Sequence, residues 1–79
     1  MNTNNLTLYH YKSCPYCVKV ENFLNKHSLS IPIIYLEENN DAFNLLYNET
    51  GSVQAPCLQI NDSFMRESDD IISYFQSTL

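Results

Sequence analysis

Seventy-nine residues, 44% hydrophobic and 16% charged with a net charge of -5, make one small globular domain, residues 1–79, and exclude a disordered chain. Only four Lys and Arg are present, so no basic stripe exists to meet nucleic acid. No apolar run reaches the length of a membrane span, and the opening MNTNNLTLYH has neither the basic nor the apolar region of a signal peptide, so the chain reads as a cytoplasmic monomer.

Residues 2–5 are polar and read as a frayed lead. Leu6–Tyr11 is short and β-rich, which predicts a strand. Pro15 suits the first turn of a helix, and Cys17, Val20, Leu24 and His27 then recur at helical spacing. Ile31–Leu36 (IPIIYL) is a nearly continuous apolar run, the pattern of a strand buried on both faces. Asp41–Glu49 predicts a helix with Ala42, Leu45 and Leu46 inward, Asn40 or Asp41 as its cap, and Thr50-Gly51 as its end. Cys57–Ile60 alternates like a strand. Asn61-Asp62 is a turn signal, and Ser63–Arg66 returns as the second strand of a hairpin. Ser68 is the expected cap of a last helix, with Ile71, Ile72, Phe75 and Leu79 on one stripe. Phe23 and Phe43 are taken as core, like Phe75. The order is βαβ-α-ββ-α, an α/β fold with a mixed four-stranded sheet and helices on its faces.

The first strand and first helix meet at KSCPYC, where two of the three cysteines stand. Two thiols this close can bind metal, form a structural disulfide or exchange electrons. An odd cysteine count fits a disulfide-stapled fold poorly, and structural disulfides are rare in the cytoplasm. A closed zinc site needs four good ligands. Cys57, His10 and His27 would have to complete one, yet His10 belongs to the sheet and His27 to the far end of its helix. The redox reading is stronger. A helix N-terminus stabilises an anion, so it favours the thiolate of Cys14, the nucleophilic form. Lys12 adds positive charge nearby. Cys17, one turn into the helix, is more buried and within reach of Cys14, so the pair can close and open a disulfide.

The sequence resembles the dithiol glutaredoxins, proteins of thioredoxin-like fold, through CPYC in YHYKSCPYC and over nearly the whole span from Leu6 to Phe75. Thr50-Gly51-Ser52-Val53-Gln54-Ala55-Pro56 is similar to the glutaredoxin segment Thr-Gly-x-x-Thr-Val-Pro, whose proline is cis. The resemblance implies that Pro56 is cis and faces the cysteine pair, with the Ala55 backbone pairing with the cysteinyl part of glutathione. Glu67-Ser68-Asp69-Asp70-Ile71-Ile72 is similar to the Asp-Asp region of glutaredoxins. With APCLQI it is closer still to the N-terminal domain of glutathione transferases. There the helix start grips the γ-glutamyl carboxylate, which implies roles for Ser68 and Asp69. Lys12 and Tyr16 complete the implied glutathione site. Arg66-Glu67 replaces the usual Gly-Gly, Val53 stands where many members carry a basic or amide side chain, and Ala55 replaces Val.

These features imply a glutathione-dependent thiol-disulfide oxidoreductase acting on glutathionylated or disulfide-bonded proteins, with Cys14 as nucleophile and Cys17 as resolving thiol. Glutathione is then a co-substrate, and no metal is expected. Three rivals share the pattern. One is a redoxin reduced by thioredoxin reductase that supplies electrons to ribonucleotide reductase. Another is an iron–sulfur carrier using Cys14 and two glutathiones. The third is a non-catalytic glutathione-binding module. Each residue also has a plainer role: Ser68 as a helix cap, Lys12 as a solvated loop lysine, Tyr16 as a shield and Cys57 as a packing residue.

Overall fold

A computed structural model describes residues 5–79, so all but Asn5 of the frayed lead expected at residues 2–5 lies outside the described residues. Strand β1 (Leu6–His10) leads into helix α1 (Pro15–Lys26), then strand β2 (Ile33–Tyr35) and a single 3₁₀ turn (Leu36–Glu38). Helix α2 (Asn40–Thr50), the hairpin β3 (Cys57–Ile60) and β4 (Ser63–Met65), and helix α3 (Ser68–Thr78) complete the chain. The sheet order is β2-β1-β3-β4. β2 runs parallel to β1, with Leu8 opposite Ile33. β3 is antiparallel to β1, with Leu8 opposite Leu58, and β4 is antiparallel to β3. This is the expected mixed four-stranded sheet with a thioredoxin-like architecture.

Alternation along β1 divides the core in two. Leu6 and Leu8 pack with Val20, Leu24, Leu58, Ile71 and Phe75 on the face covered by α1 and α3. Tyr9 and Cys57 pack with Leu36, Ala42 and Leu46 on the face covered by α2. β1 thus has a strand on each side and helices over both faces, which fixes the direction in which its C-terminal end points.

Several local expectations are corrected. The run Ile31–Leu36 is not a strand buried on both faces. It holds a three-residue strand at the sheet edge, half-buried throughout, because β2 has β1 as its sole neighbour. Ile31 and Leu36 are buried outside that strand, one in each half of the core. The cap of α2 is Asn39, whose side chain accepts the Ala42 N–H at 3.0 Å, so Asn40 and Asp41 are already helical. Gly51 ends α2 in the left-handed conformation (φ 75°), which glycine adopts without penalty. Ser68 is the first residue of α3 rather than its cap; Glu67 stands at the cap position without a side-chain hydrogen bond. β4 stops at Met65, one residue before the expected Arg66. Leu45, Phe43 and Leu79 are exposed instead of inward: the buried face of α2 is only as wide as Ala42 and Leu46, and Leu79 lies past the end of α3.

Phe75 is fully buried where α3 meets α1 and the sheet. Phe75→Ala is expected to lower unfolding free energy by about 3–5 kcal/mol, read from the urea midpoint.

Candidate active site

The last residue of β1 is followed by a tight turn, in which the Cys14 N–H donates to the Tyr11 carbonyl at 3.3 Å. Helix α1 then begins at Pro15, where a missing N–H costs nothing. Cys14 occupies the cap position in extended backbone conformation (φ -78°, ψ 119°). Its Sγ accepts the Cys17 N–H at 3.4 Å, the place that a Ser or Asp oxygen takes in an ordinary helix cap. One sulfur therefore serves as cap and as candidate nucleophile.

Across a gap from this sulfur runs the segment before β3. The Ala55–Pro56 peptide bond is cis, and Pro56 is buried. The Cys14 thiol points at the Ala55 carbonyl oxygen, 3.8 Å from Sγ. From Ala55 a cleft of about 320 Å³ extends past Pro56, between Tyr16 on one side and Arg66 to Asp69 on the other. The start of α3 forms one of its walls. The first amides of that helix have no intrahelical acceptor, and no side chain caps them, so they are free for an anion.

The two thiols of the pair differ sharply. Cys14 is partly exposed. Cys17 is fully buried and its pKa is pushed up to about 12. Burial is the main cause, the hydrogen bond with Cys14 adds to it, and an amide hydrogen bond from Tyr11 acts the other way. Cys57 is also buried, against Tyr9 and Leu46, and burial raises it to about 11. All three thiols are free.

Of the residues singled out in the sequence, Tyr16, Ala55, Pro56, Ser68 and Asp69 line the cleft, and Cys14 borders it through Ala55. The Asp69 carboxylate is paired with Lys19 of α1, tying the two helices together. Lys12 is not among the lining residues. Its ammonium lies 2.8 Å from Glu38, its backbone N–H donates to Glu37 at 2.7 Å, and its charge sits 5.7 Å from the Tyr35 ring. Gln54, Arg66 and Glu67 also line the cleft, with no motif in the sequence that marks them as ligands. Arg66 was visible in the sequence as a departure from Gly-Gly, and it is the cleft's cation. No carboxylate of the described residues pairs with it. His10 lies within the sheet as expected, and His27, its ring tilted 45° against Phe23 with centroids 4.4 Å apart, ends α1.

Residues 8–78 match the glutathione S-transferase N-terminal domain family, and the chain belongs to it. A 33-residue stretch, 42% of the chain, is 52% identical to prostaglandin E synthase 2 of Mus musculus, of which it covers 9%. Among solved structures, glutaredoxin 2 of Salmonella typhimurium in complex with glutathione is 30% identical, with a TM-score of 0.76 over 95% of this chain and 34% of that one. Oxidized glutaredoxin 2 of Chlamydomonas reinhardtii is 27% identical, with a TM-score of 0.68 over 94% of this chain and 73% of that one. The mouse and Salmonella proteins thus extend far beyond the span shared with this chain. The likenesses support, in general terms, a thiol oxidoreductase related to glutathione.

Both buried thiols hold their protons more tightly folded than unfolded. Their contribution to stability is complete below the ordinary thiol value of 9.0 and is lost as pH rises toward about 11 for Cys57 and about 12 for Cys17. The urea midpoint is expected to fall as pH climbs from 9.0 to about 11, and to fall less steeply in Cys57→Ala.

Proposed function

We propose that the chain is a glutathione-dependent thiol-disulfide oxidoreductase of the reducing cytoplasm, with glutathione and glutathionylated or disulfide-bonded proteins as its partners. The observation that carries this reading is the position of Cys14 Sγ. It caps a helix start and faces the Ala55 carbonyl at the mouth of the cleft, while Cys17 behind it is buried and protonated.

The Cys14 thiolate attacks the glutathione sulfur of a mixed disulfide. The old S–S bond breaks, the protein thiolate leaves, and a Cys14–glutathione disulfide forms. The peptide then lies along Ala55 and Pro56, as an extended strand would pair with that backbone. Its γ-glutamyl carboxylate meets the uncapped amides of Ser68 and Asp69. The Asp69 carboxylate, shared with Lys19, faces the α-ammonium. Arg66, the cleft's cation, which pairs with no carboxylate of the described residues, takes the other carboxylate, a role that Lys12 is poorly placed for while Glu38 holds it. A second glutathione releases Cys14. With a protein disulfide, Cys17 displaces the substrate thiol from Cys14 instead.

A second reading keeps the chemistry and changes the electron donor. Val53 is apolar and packs into the α2 side of the core, so it offers glutathione no polar contact. A redoxin reduced by thioredoxin reductase would tolerate that.

Turnover of a small glutathione mixed disulfide, coupled to glutathione and its reductase, separates the two. Wild type and Cys17→Ser are expected to turn over and Cys14→Ser to be inactive. Arg66→Ala is expected to raise KM about tenfold with little change in kcat, the scale of one exposed charge-assisted hydrogen bond. A wild type that is idle with glutathione yet is reduced by thioredoxin reductase would favour the second reading.

A further inference from the structure

A groove of about 300 Å³ lies between α2 and the β3–β4 hairpin, on the α2 face of the sheet. Leu45 and Glu49, four residues apart on α2, share one side of the helix and line it. Gln59 of β3, Asp62 of the hairpin turn and Phe64 of β4 complete the lining. β3 leaves the cleft at its start and carries Gln59 toward the other end of the sheet, and no residue lines both cavities. The polar group of Gln59 is already engaged: its Oε1 accepts the Tyr9 O–H at 2.7 Å, and its Nε2 donates to the Asn61 carbonyl at 2.8 Å. What remains for an incoming group is the apolar surface of Phe64 and of Leu45, which is 38% exposed, with two exposed carboxylates.

The charge of this region is one-sided. The Lys and Arg residues are Lys12, Lys19, Lys26 and Arg66, so residues 27–65 hold none of them against five carboxylates, Glu37, Glu38, Asp41, Glu49 and Asp62. Glu38 pairs with Lys12, and Glu37 accepts the Lys12 backbone N–H. No cation of the described residues pairs with Glu49 or Asp62. The groove is therefore complementary to a cation carried next to an apolar group. A second copy of this chain, with its net charge of -5, would bring like charge to it.

A separate feature gives the form of the partner. β4 has β3 as its sole neighbour in the sheet, so the outer row of its backbone N–H and C=O groups is open to a further strand. Its sequence, Ser63-Phe64-Met65, holds neither the charge nor the proline that commonly guards an edge. Phe64 packs with the core on the α2 face and Met65 with the core on the other. A strand added to β4 would set every second side chain on the α2 face, about 7 Å apart, beside Phe64 and the groove.

We infer that this groove and edge dock an extended segment of a partner protein whose alternate residues are apolar and basic. The apolar side chain lies against Leu45 and Phe64, and the basic one meets Glu49 and Asp62. The inference goes beyond the proposed thiol chemistry and does not depend on it.

The test is a titration of the isotope-labelled chain with an eight-residue peptide. Leucine and arginine alternate on one face of the peptide and threonine fills the other. The amide shifts are expected to move at Leu45, Glu49, Gln59 and Ser63–Met65, with Tyr16 and Ala55 unmoved. Glu49→Gln with Asp62→Asn is expected to weaken binding about tenfold, the scale of two exposed charge pairs. Leu45→Ser should weaken it while the amide spectrum stays dispersed. Peptides with glutamate for arginine, or serine for leucine, should bind more weakly than the parent. No binding, equal binding by the glutamate peptide, shifts centred on the cleft, or an affinity unchanged in the variants would each overturn the inference. Concentration-dependent shifts at the same amides without peptide would make the occupant a second copy, and would overturn it too.

Discussion

One sulfur atom is held from three directions. β1 lies between β2 and β3, so its C-terminal end cannot swing. The turn after it places Cys14 at the head of α1, where the Cys17 N–H meets Sγ at 3.4 Å. From the far side, the cis Ala55–Pro56 segment brings a carbonyl oxygen to 3.8 Å. Two halves of the chain about forty residues apart therefore converge on one atom, and the packing that secures them is the packing of the whole domain. Val20 and Leu24 fix α1 on one face; Cys57, next to Pro56, is buried on the other. The site is rigid because the core runs directly behind it.

Burial then sets the two thiols apart. A cap position leaves Cys14 partly open, next to free amides that favour negative charge. One turn further, the same helix carries Cys17 into the core, where desolvation makes its thiolate costly. The partly exposed thiol stands in front and the buried one behind it, the arrangement that the proposed nucleophile and resolving thiol require. Buried His10 and half-buried Glu21 meet beside the same helix, with the Tyr35 O–H donating to Glu21. At the other end of the cleft, α3 repeats the device of α1. Its uncapped N-terminus is a place for an anion that is not covalently bound.

Much of this was legible in the sequence because local signals agreed with the global fold. Pro15 beside the cysteines marks a helix start, Gly51 a helix end, and Asn61-Asp62 a hairpin turn. What misled was apolar character without periodicity. IPIIYL fits a central strand, but only the sheet order shows that it lies at an edge, where three residues pair and the flanking Ile31 and Leu36 fill separate parts of the core. Residue type points Phe43 inward and the helical pattern points Leu45 inward, yet α2 needs only Ala42 and Leu46 against the sheet. In the site, CPYC and the similarity around Ala55-Pro56 carried the sequence reading. Arg66 was seen as an oddity and not as the cleft's cation, because its use depends on β4 ending where α3 begins. The approach of His10 to Glu21 was invisible, since it joins a strand to a helix in three dimensions and has no sequence spacing of its own.

The central claim is that a glutathione attached to Cys14 lies in the cleft running from Ala55 to the start of α3. Amide chemical shifts of Cys17→Ser, compared before and after glutathione is joined to Cys14 by disulfide exchange, test it most directly. The account predicts large changes at Ala55, Arg66, Ser68 and Asp69, with the α2 face unmoved. Changes confined to the turn around Cys14, with the N-terminus of α3 silent, would contradict it.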